Sequence, residues 1–263
     1  MDLGLDGKVA LVAGASRGLG RAVAEAFAAE GVRLVLCARG EKQLGLTLDQ
    51  ISKKHGVRGI AIPTDVSDSR AIDVLLTTAR KEMGRIDILV TNAGGPPAGT
   101  FLDTTPAMWE DTVKLTLLSA VQLARGVLPG MRKQHWGRII NITSIAVKQP
   151  VDNLILSNSL RAAVTGFART LANEVAAEGI TVNNVMPGFT RTQRLEELAE
   201  RVAAQQQIGA PAVRAGWEKQ IPMARLGEPE EFAGLVAFLA SQQASYITGT
   251  SIPVDGGWIK ALL

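Results

Sequence analysis

The chain has 263 residues, of which 28 are Lys or Arg and 25 are Asp or Glu, so its formal net charge is +3. The basic residues are spread along the chain instead of forming a stripe, which argues against a nucleic-acid groove. No apolar run reaches the roughly 20 residues that cross a bilayer, so no membrane partner is expected. The single cysteine, Cys37, excludes an internal disulfide and, within an apolar run, is expected to be a buried strand residue.

The N-terminal residues and the histidines indicate neither export nor a metal site. Residues 1–6 are acidic and lack a basic segment, so we expect no signal peptide and a cytoplasmic protein. His55 and His135 each precede a predicted strand, at the end of the sheet opposite a ligand crevice, and we expect structural roles for both. No cluster of His, Cys, Asp and Glu has metal-ligand spacing, so no metal is predicted.

Short β-rich runs alternate with longer helical patterns along the whole chain. Strands are predicted at 8–13, 33–37, 58–62, 86–91, 137–143, 180–186 and 251–254. Helices are predicted at 19–30, 41–54, 67–83 with Ser67 as N-cap, 106–130, 154–178 and 228–240. This alternation predicts an α/β fold, a doubly wound parallel sheet of Rossmann type in a single domain over residues 1–263. Its ligand crevice should open at the carboxyl ends of the strands.

One stretch, 189–227, has no clear helical or strand pattern. It is polar, rich in Ala and Gln, and contains Pro211, Gly216 and Pro222. Because it follows the sixth strand at the ligand edge, we predict an irregular substrate lid. A plain surface excursion is the alternative.

A glycine-rich segment joins the first strand to the first helix. Residues 14–20 read Gly-Ala-Ser-Arg-Gly-Leu-Gly. Gly14 would allow the tight turn off the strand, Gly18 would let backbone N–H groups approach a pyrophosphate, and Gly20 would let the helix pack closely on the sheet. A strand, this turn and a helix in succession predict a dinucleotide site.

Further motifs follow in order along the chain. They are Asp65 within Pro-Thr-Asp-Val at 63–66, Asn-Ala-Gly at 92–94, Asn-Asn-Val-Met-Pro-Gly at 183–188, Tyr-Ile-Thr-Gly at 246–249 and Val-Asp-Gly-Gly at 254–257. Together with the glycine spacing, these motifs resemble the short-chain dehydrogenase/reductase family, in particular its 3-oxoacyl-carrier-protein-reductase-like branch. The resemblance implies cofactor contacts from Gly14, Ser16, Arg17, Gly18, Leu19, Gly20, Arg39, Asp65, Val66, Asn92, Ala93, Gly94, Arg161, Pro187, Gly188, Thr190 (through its backbone) and Thr192.

The end of the second predicted strand bears on which nicotinamide cofactor is bound. An acid there would hydrogen-bond the ribose 2′-OH of NAD, but the position holds Ala38 and is followed by Arg39. Arg39 and Arg17 could clamp a 2′-phosphate with their planar guanidinium groups. We therefore predict NADP(H). The alternative is that both arginines are solvated surface charges.

The catalytic positions depart from the family that the chain resembles. That family uses a serine, a tyrosine, a lysine four residues after the tyrosine, and an asparagine on the preceding long helix. Here Ser144 matches the serine, whereas Ser157, Arg161 and Thr116 stand at the tyrosine, lysine and asparagine positions. The only tyrosine, Tyr246, belongs to the C-terminal motif.

A serine hydroxyl is a far poorer acid than a phenol of pKa about 10, and a guanidinium stays protonated. Lys148 could supply the proton if the crevice desolvates it; a solvated loop lysine is the alternative. Asn158 could orient a carbonyl, or it could be a helix-surface amide. Two functions stay open: an oxidoreductase for a carbonyl or hydroxyl substrate with a non-standard site, and a catalytically silent NADP(H)-binding or oligomer-partner protein.

The resemblance also implies a homotetramer, formed through the two long helices at 106–130 and 154–178. The first of these helices carries a wide apolar face, made of Leu115, Leu117, Leu118, Val121 and Leu123. The alternative is that these residues only pack on the sheet.

Overall fold

A computed structural model describes residues 2–262 of the chain. Seven parallel strands form one sheet in the order β3-β2-β1-β4-β5-β6-β7. The strands are β1 (Val9–Ala13), β2 (Arg33–Ala38), β3 (Gly59–Pro63), β4 (Ile88–Thr91), β5 (Gly137–Ile142), β6 (Ile180–Pro187) and β7 (Ser251–Val254). The predicted fold class is thus confirmed, with strand ends within one or two residues of those expected.

Helices cover both faces of the sheet. They are α1 (Gly18–Ala29), α2 (Glu41–His55), α3 (Ser69–Met83), α4 (Pro106–Thr112), α5 (Ser119–Gln134), α6 (Ile155–Val175), α7 (Gln193–Gln206), α8 (Ala210–Glu218) and α9 (Pro229–Ala240). No helix within residues 2–262 is long and apolar enough to cross a membrane.

Alternation along the strands divides the core into two layers. In β1, Ala10 and Val12 pack in the layer that α1, α2 and α9 contribute to. Val9 and Leu11 point the other way, into the layer formed with α3, α5 and α6. Successive side chains of a strand face opposite sides, so a strand covered on both faces is apolar throughout. Cys37 of β2 is fully buried as predicted, and burial raises its thiol pKa to about 12.

Two predicted helix boundaries were wrong. Ser67 does not cap α3. Asp68 does, accepting a hydrogen bond from the Arg70 backbone N–H, while Ser67 donates through its N–H and hydroxyl to Asp65. A carboxylate one residue nearer the helix is the better placed acceptor.

The helix predicted at 106–130 is also different. It begins as α4, passes through a π-helical segment at Val113–Leu118 and continues as α5 to Gln134. Helix α5 runs past Gly130 because the next residue, Met131, is fully buried in the core, and the chain turns only at His135, with φ of 49°.

The segment 189–227 is helical, which corrects the prediction of an irregular stretch. It contains α7 and α8, which pack on one another through a small apolar cluster of Ala199, Ala203 and Val213. Pro211 lies in the first turn of α8, where a proline costs no helical hydrogen bond.

Candidate active site

The crevice lies where the sheet reverses its direction of winding. From β1 the chain proceeds to β2 and β3 on one side, and then crosses over to β4, which pairs with the other side of β1. At such a switch point the connections leave in opposite directions and open a cleft at the carboxyl ends of the strands. The glycine-rich segment follows β1, and the Asn-Ala-Gly motif follows β4, so the two motifs face one another across this cleft.

Packing explains two of the three glycines in the turn after β1. A side chain at Gly14, where φ is 62°, would approach the amide of Asn92 to 2.7 Å, and one at Gly20 would collide with the Gly14 carbonyl. At Gly18 the nearest atom to an added Cβ would be a methyl group of Thr192, 3.6 Å away. An added Cβ at Gly18 would only make an ordinary van der Waals contact, and glycine is favoured there by its positive φ of 57°, which leaves the backbone of 14–18 as a cradle at the start of α1. This cradle fits a pyrophosphate, which binds to backbone N–H groups at a helix N-terminus.

The side of the crevice next to β2 and β3 contains a fixed carboxylate and a nearby cation. Asp65 Oδ1 accepts from the Ser67 N–H at 2.9 Å and from the Ser67 hydroxyl at 2.7 Å. These bonds, and more weakly the charge of Arg39, lower the pKa of Asp65. Arg39 is exposed at the end of β2. Arg17 Nη1 lies 3.9 Å from Glu197 of α7, and the side chains of both residues are exposed.

On the other side, the end of β6 leads into the start of α7. Gly188 is packed so tightly that an added Cβ would lie 2.7 Å from Asp255 Cα. Thr190 is buried and forms a bridge to Gly227. Thr192 caps α7, its hydroxyl accepting from the Leu195 N–H at 3.3 Å. The two threonines predicted to contact a nicotinamide thus lie at the hinge between the sheet and the helical segment.

Ser144 lies two residues after the end of β5. It begins a 3-10 turn, Ile145–Val147, and its Oγ accepts from the Ala146 N–H at 3.1 Å. The hydroxyl hydrogen of Ser144 stays available to a carbonyl oxygen. Ser157 lies in the first turn of α6, which packs against this 3-10 turn. The structure therefore brings Ser144 and Ser157 to one region.

Arg161 is anchored to the sheet. Its Nη1 donates to the carbonyl oxygens of Ile142 and Thr143, each at 2.8 Å. Burial, and then the neighbouring charge of Arg194, lower the pKa of Arg161 to about 10. It is therefore protonated at neutral pH and supplies a fixed positive charge, but no proton.

Thr116 lies in the π-helical segment, at the asparagine position of the resembling family. Its Oγ1 and that of Thr143 are buried without a hydrogen-bond partner among residues 2–262. Both residues line a small pocket that Asn92 and Arg161 also line. Two unpaired hydroxyls beside a cation make this pocket polar and suited to water. A π-helical segment often marks a functional position in a helix.

The alternative candidates gain no support from the structure. Lys148 is exposed at the end of the 3-10 turn. Asn158 donates from Nδ2 to the Val151 carbonyl at 2.9 Å, which fixes the loop before α6. Within residues 2–262, no group of His, Cys, Asp and Glu is arranged to hold a metal.

One residue of the crevice was missed by sequence reasoning. Arg194, in the first turn of α7, lays its guanidinium directly on Gly95, where any side chain would collide with it. Burial lowers the pKa of Arg194, as does the charge of Arg201, while Glu197 raises it. The two contacting residues are almost 100 positions apart in the chain, and neither belongs to a motif, so no local signal predicts the contact.

Comparison with known proteins agrees with this geometry. A family model described as enoyl-(acyl carrier protein) reductase matches residues 14–259. The 3-oxoacyl-[acyl-carrier-protein] reductase FabG of Escherichia coli (strain K12) is 37% identical over 255 residues, covering 97% of this chain and 98% of the relative.

Two solved structures are similar over nearly the whole chain. L-sorbose reductase from Gluconobacter frateurii, complexed with NADPH and L-sorbose, has a TM-score of 0.95 and 35% identity, and each chain is covered completely. YwfH, an NADPH dependent reductase involved in bacilysin biosynthesis, has a TM-score of 0.93 and 31% identity, with 97% of this chain and 99% of the other covered. The chain belongs to the short-chain dehydrogenase/reductase family of oxidoreductases.

Proposed function

We propose that the chain is an NADP(H)-dependent oxidoreductase that acts on a carbonyl or hydroxyl group through a non-standard catalytic site, with 3-oxoacyl compounds as one candidate substrate class. The observation that carries the proposal is the glycine-rich cradle at the start of α1, facing the motif at 92–94 across the switch point. Relatives and structural neighbours support it: FabG is named as a 3-oxoacyl reductase, and L-sorbose reductase is described with NADPH bound.

When bound, the nicotinamide cofactor supplies or accepts the hydride. The backbone of 14–20 would hold its pyrophosphate, and Asp65 its adenine. Arg39, beside Asp65 and free of any recorded ion pair within residues 2–262, would hold the 2′-phosphate, with Arg17 released from Glu197 as its second cation. Thr190, Thr192 and the turn at 187–188 would contact the nicotinamide, and Arg161 the neighbouring ribose.

The residues of this chain would contribute to catalysis by positioning the substrate and by stabilising charge on its reacting oxygen. The Ser144 hydroxyl would donate to the substrate oxygen, and Ser157 would line the space where the family has a phenol. Arg161 would stabilise negative charge that develops on that oxygen. Its pKa of about 10 and its two bonds to the end of β5 make it a fixed cation and no acid. Loss of a positioned general acid lowers rates by about 10²–10⁴, so slow turnover on simple ketones is expected.

A second candidate function is a catalytically silent NADP(H)-binding or oligomer-partner protein. It is favoured by the same substitutions at 116, 157 and 161, and by the tether that holds Arg161 on strand carbonyls.

We also propose a homotetramer built on α5 and α6. Leu118 is 40% exposed, and Leu115, Leu117 and Val121 are half-buried, which leaves an apolar face that the chain itself does not cover. Leu123 does not belong to this face, because it is buried in the core. The lid role of the segment 189–227 and a cytoplasmic location remain predictions.

The test begins with fluorescence titration of NADPH and NADH, followed by cofactor oxidation assays with ketones, oxoacyl thioesters and quinones. Tight NADPH binding with turnover on one class supports the oxidoreductase. Tight binding without turnover on any of them supports the silent protein, and no binding of either nucleotide overturns both.

A further inference from the structure

Arg194 presents an unpaired guanidinium to the crevice. It lies against Gly95, directly after the Asn-Ala-Gly motif, and no carboxylate within residues 2–262 is within ion-pair distance of it. Three arginines of the same segment form ion pairs, Arg191 with Glu228, Arg214 with Glu196 and Arg225 with Glu231, whereas Arg201, like Arg194, forms none within residues 2–262. What distinguishes Arg194 from Arg201 is its contact with Gly95.

A second guanidinium lies close by. Arg161 lines the same pocket as Asn92 and Ala93, three and two residues before Gly95, and the charge of Arg194 is felt there strongly enough to lower the Arg161 pKa. Only Nη1 of Arg161 is committed to backbone carbonyls. Two cations held together without a carboxylate between them are unfavourable unless an anion joins them.

The nearby carboxylate of Glu197 does not join the two guanidinium groups. Glu197, three residues after Arg194 on α7, favours the charged form of Arg194, but the recorded ion pair of Glu197 is with Arg17 on the glycine-rich segment. Glu197 therefore points toward the β1 side of the crevice. The two guanidinium groups remain on the β4 and β5 side.

The cation pair borders the pyrophosphate cradle but lies on the β4 and β5 side of it. That cradle is at the start of α1 beyond β1, whereas Gly95 follows β4, and Arg161 is bonded to the end of β5. A dinucleotide lying across the switch point has its phosphates on the first side and its reacting end on the second. The guanidinium pair thus lies where a substrate approaches.

We infer that Arg194, with Arg161 behind it, binds a carboxylate of the substrate, so that the substrate class is oxo acids or hydroxy acids. A guanidinium fork matches a carboxylate with two parallel hydrogen bonds, and it also fixes the orientation of the substrate. This inference rests on the proposed oxidoreductase function and narrows its substrate class.

The test uses matched acids and esters as binding probes on the NADP⁺-loaded protein, which has no hydride to transfer to them. Acetoacetate and 2-oxoglutarate are compared with methyl acetoacetate and dimethyl 2-oxoglutarate by calorimetry. The wild type should bind at least one acid about 10- to 100-fold more tightly than its ester, as expected for charge-assisted hydrogen bonds. Arg194→Met should remove that preference while changing the NADPH dissociation constant less than about threefold.

Two further variants separate position from charge. Arg201→Met removes an exposed positive charge from the same helix, and it should leave the acid preference unchanged. Gly95→Ala keeps every charge but obstructs the place where the guanidinium rests, and it should weaken acid binding. Because φ at Gly95 is outside the left-handed region, the alanine itself strains no backbone.

The inference is overturned if no acid is preferred over its ester, or if Arg201→Met matches Arg194→Met. It is also overturned if Arg194→Met weakens NADPH about 10-fold or more and leaves acid binding intact, because the guanidinium then serves a cofactor phosphate. If the wild type does not bind NADPH at all, the proposed function itself has failed, which the first titration shows separately.

Discussion

The Arg161 side chain donates to the Thr143 carbonyl at 2.8 Å, so a residue of α6 is tied directly to the end of β5. The same Nη1 donates to the Ile142 carbonyl, and the tether holds the helix that carries Ser157 against the turn that carries Ser144. In this chain Arg161 is thus a structural link as well as a charge in the crevice.

We expect Arg161→Met to lower the free energy of unfolding by about 1–3 kcal/mol, because two carbonyl acceptors lose a charged donor. Urea unfolding measures this change. Arg169→Met on the same helix is the control. Arg169 is exposed and donates to the Gly249 carbonyl at a longer distance of 3.2 Å, so a smaller loss is expected. Equal losses from both variants would show that the two hydrogen bonds of Arg161 stabilise the fold no more than the exposed hydrogen bond of Arg169 does.

Replacing two of the three departures from the family, at positions 157 and 161, should restore a proton donor. The double variant Ser157→Tyr with Arg161→Lys places a phenol beside Ser144 and a shorter cation behind it. If the proposed function is correct, NADPH-dependent ketone reduction should rise by about 10²-fold or more, in line with the usual contribution of a general acid. The steady-state rate of NADPH oxidation in the presence of the ketone measures this rise. The Ser157→Phe variant fills the same space without an acid, and an equal gain there would disprove the assignment.

Arg39→Ala should weaken NADPH binding about 10-fold or more and NADH binding far less, because only NADPH has a 2′-phosphate for the guanidinium. Fluorescence titration with both nucleotides gives the two ratios. Lys42→Ala, an exposed cation in the first turn of α2, is the control for general charge. Equal losses for NADPH and NADH would contradict a role of Arg39 at the phosphate.

Gly20→Ala should damage the cofactor cradle and the fold together. The added Cβ would collide with the Gly14 carbonyl, so α1 must move away from the sheet, at a cost of about 1–3 kcal/mol. Thermal unfolding and NADPH titration should both show the loss. In Gly45→Ala, on α2, an added Cβ meets no atom within 4 Å, and a gain of about 0.5–1 kcal/mol is expected there.

The start of α9 should make stability sensitive to acid. The Glu231 carboxylate accepts from Arg225 and from the Glu228 N–H, and these bonds lower its pKa from an ordinary value of 4.5 to about 2. A lowered pKa stabilises the folded chain above pH 4.5, and this contribution disappears as the pH falls toward 2. Glu231→Gln should therefore flatten the decline of the melting temperature between pH 5 and pH 2. An unchanged decline would exclude Glu231 as a source of that sensitivity.

Much of the fold could be predicted because its signals are local. The buried strands are continuous apolar runs, and glycine is needed at Gly20 because of a contact within its own turn, with the Gly14 carbonyl. The π-helical segment could not be predicted, since its extra residue per turn leaves no distinct pattern around Thr116. Helices α7 and α8 were missed because Pro211 and the many glutamines resemble loop composition, although the proline merely begins a helix.

The candidate site likewise has a part that the sequence could predict and a part that it could not. The motifs of the site directly follow predicted strands, and the carboxyl ends of parallel strands meet at one edge of a sheet, so a crevice there could be predicted. The contact of Arg194 with Gly95 depends on how α7 packs across the sheet, and no local sequence pattern encodes that packing.

Because Cys37 is buried, its reaction with a thiol reagent can report the opening of the sheet around β2. The thiol is fully buried in β2, between β1 and the edge strand β3, with a pKa of about 12, so a thiol reagent can react only after β2 has separated from its neighbours. Because the chain has a single cysteine, the rate of alkylation reports the opening of this side of the sheet. A nucleotide that bridges the cleft should slow that labelling in proportion to its occupancy, which gives a binding assay independent of catalysis.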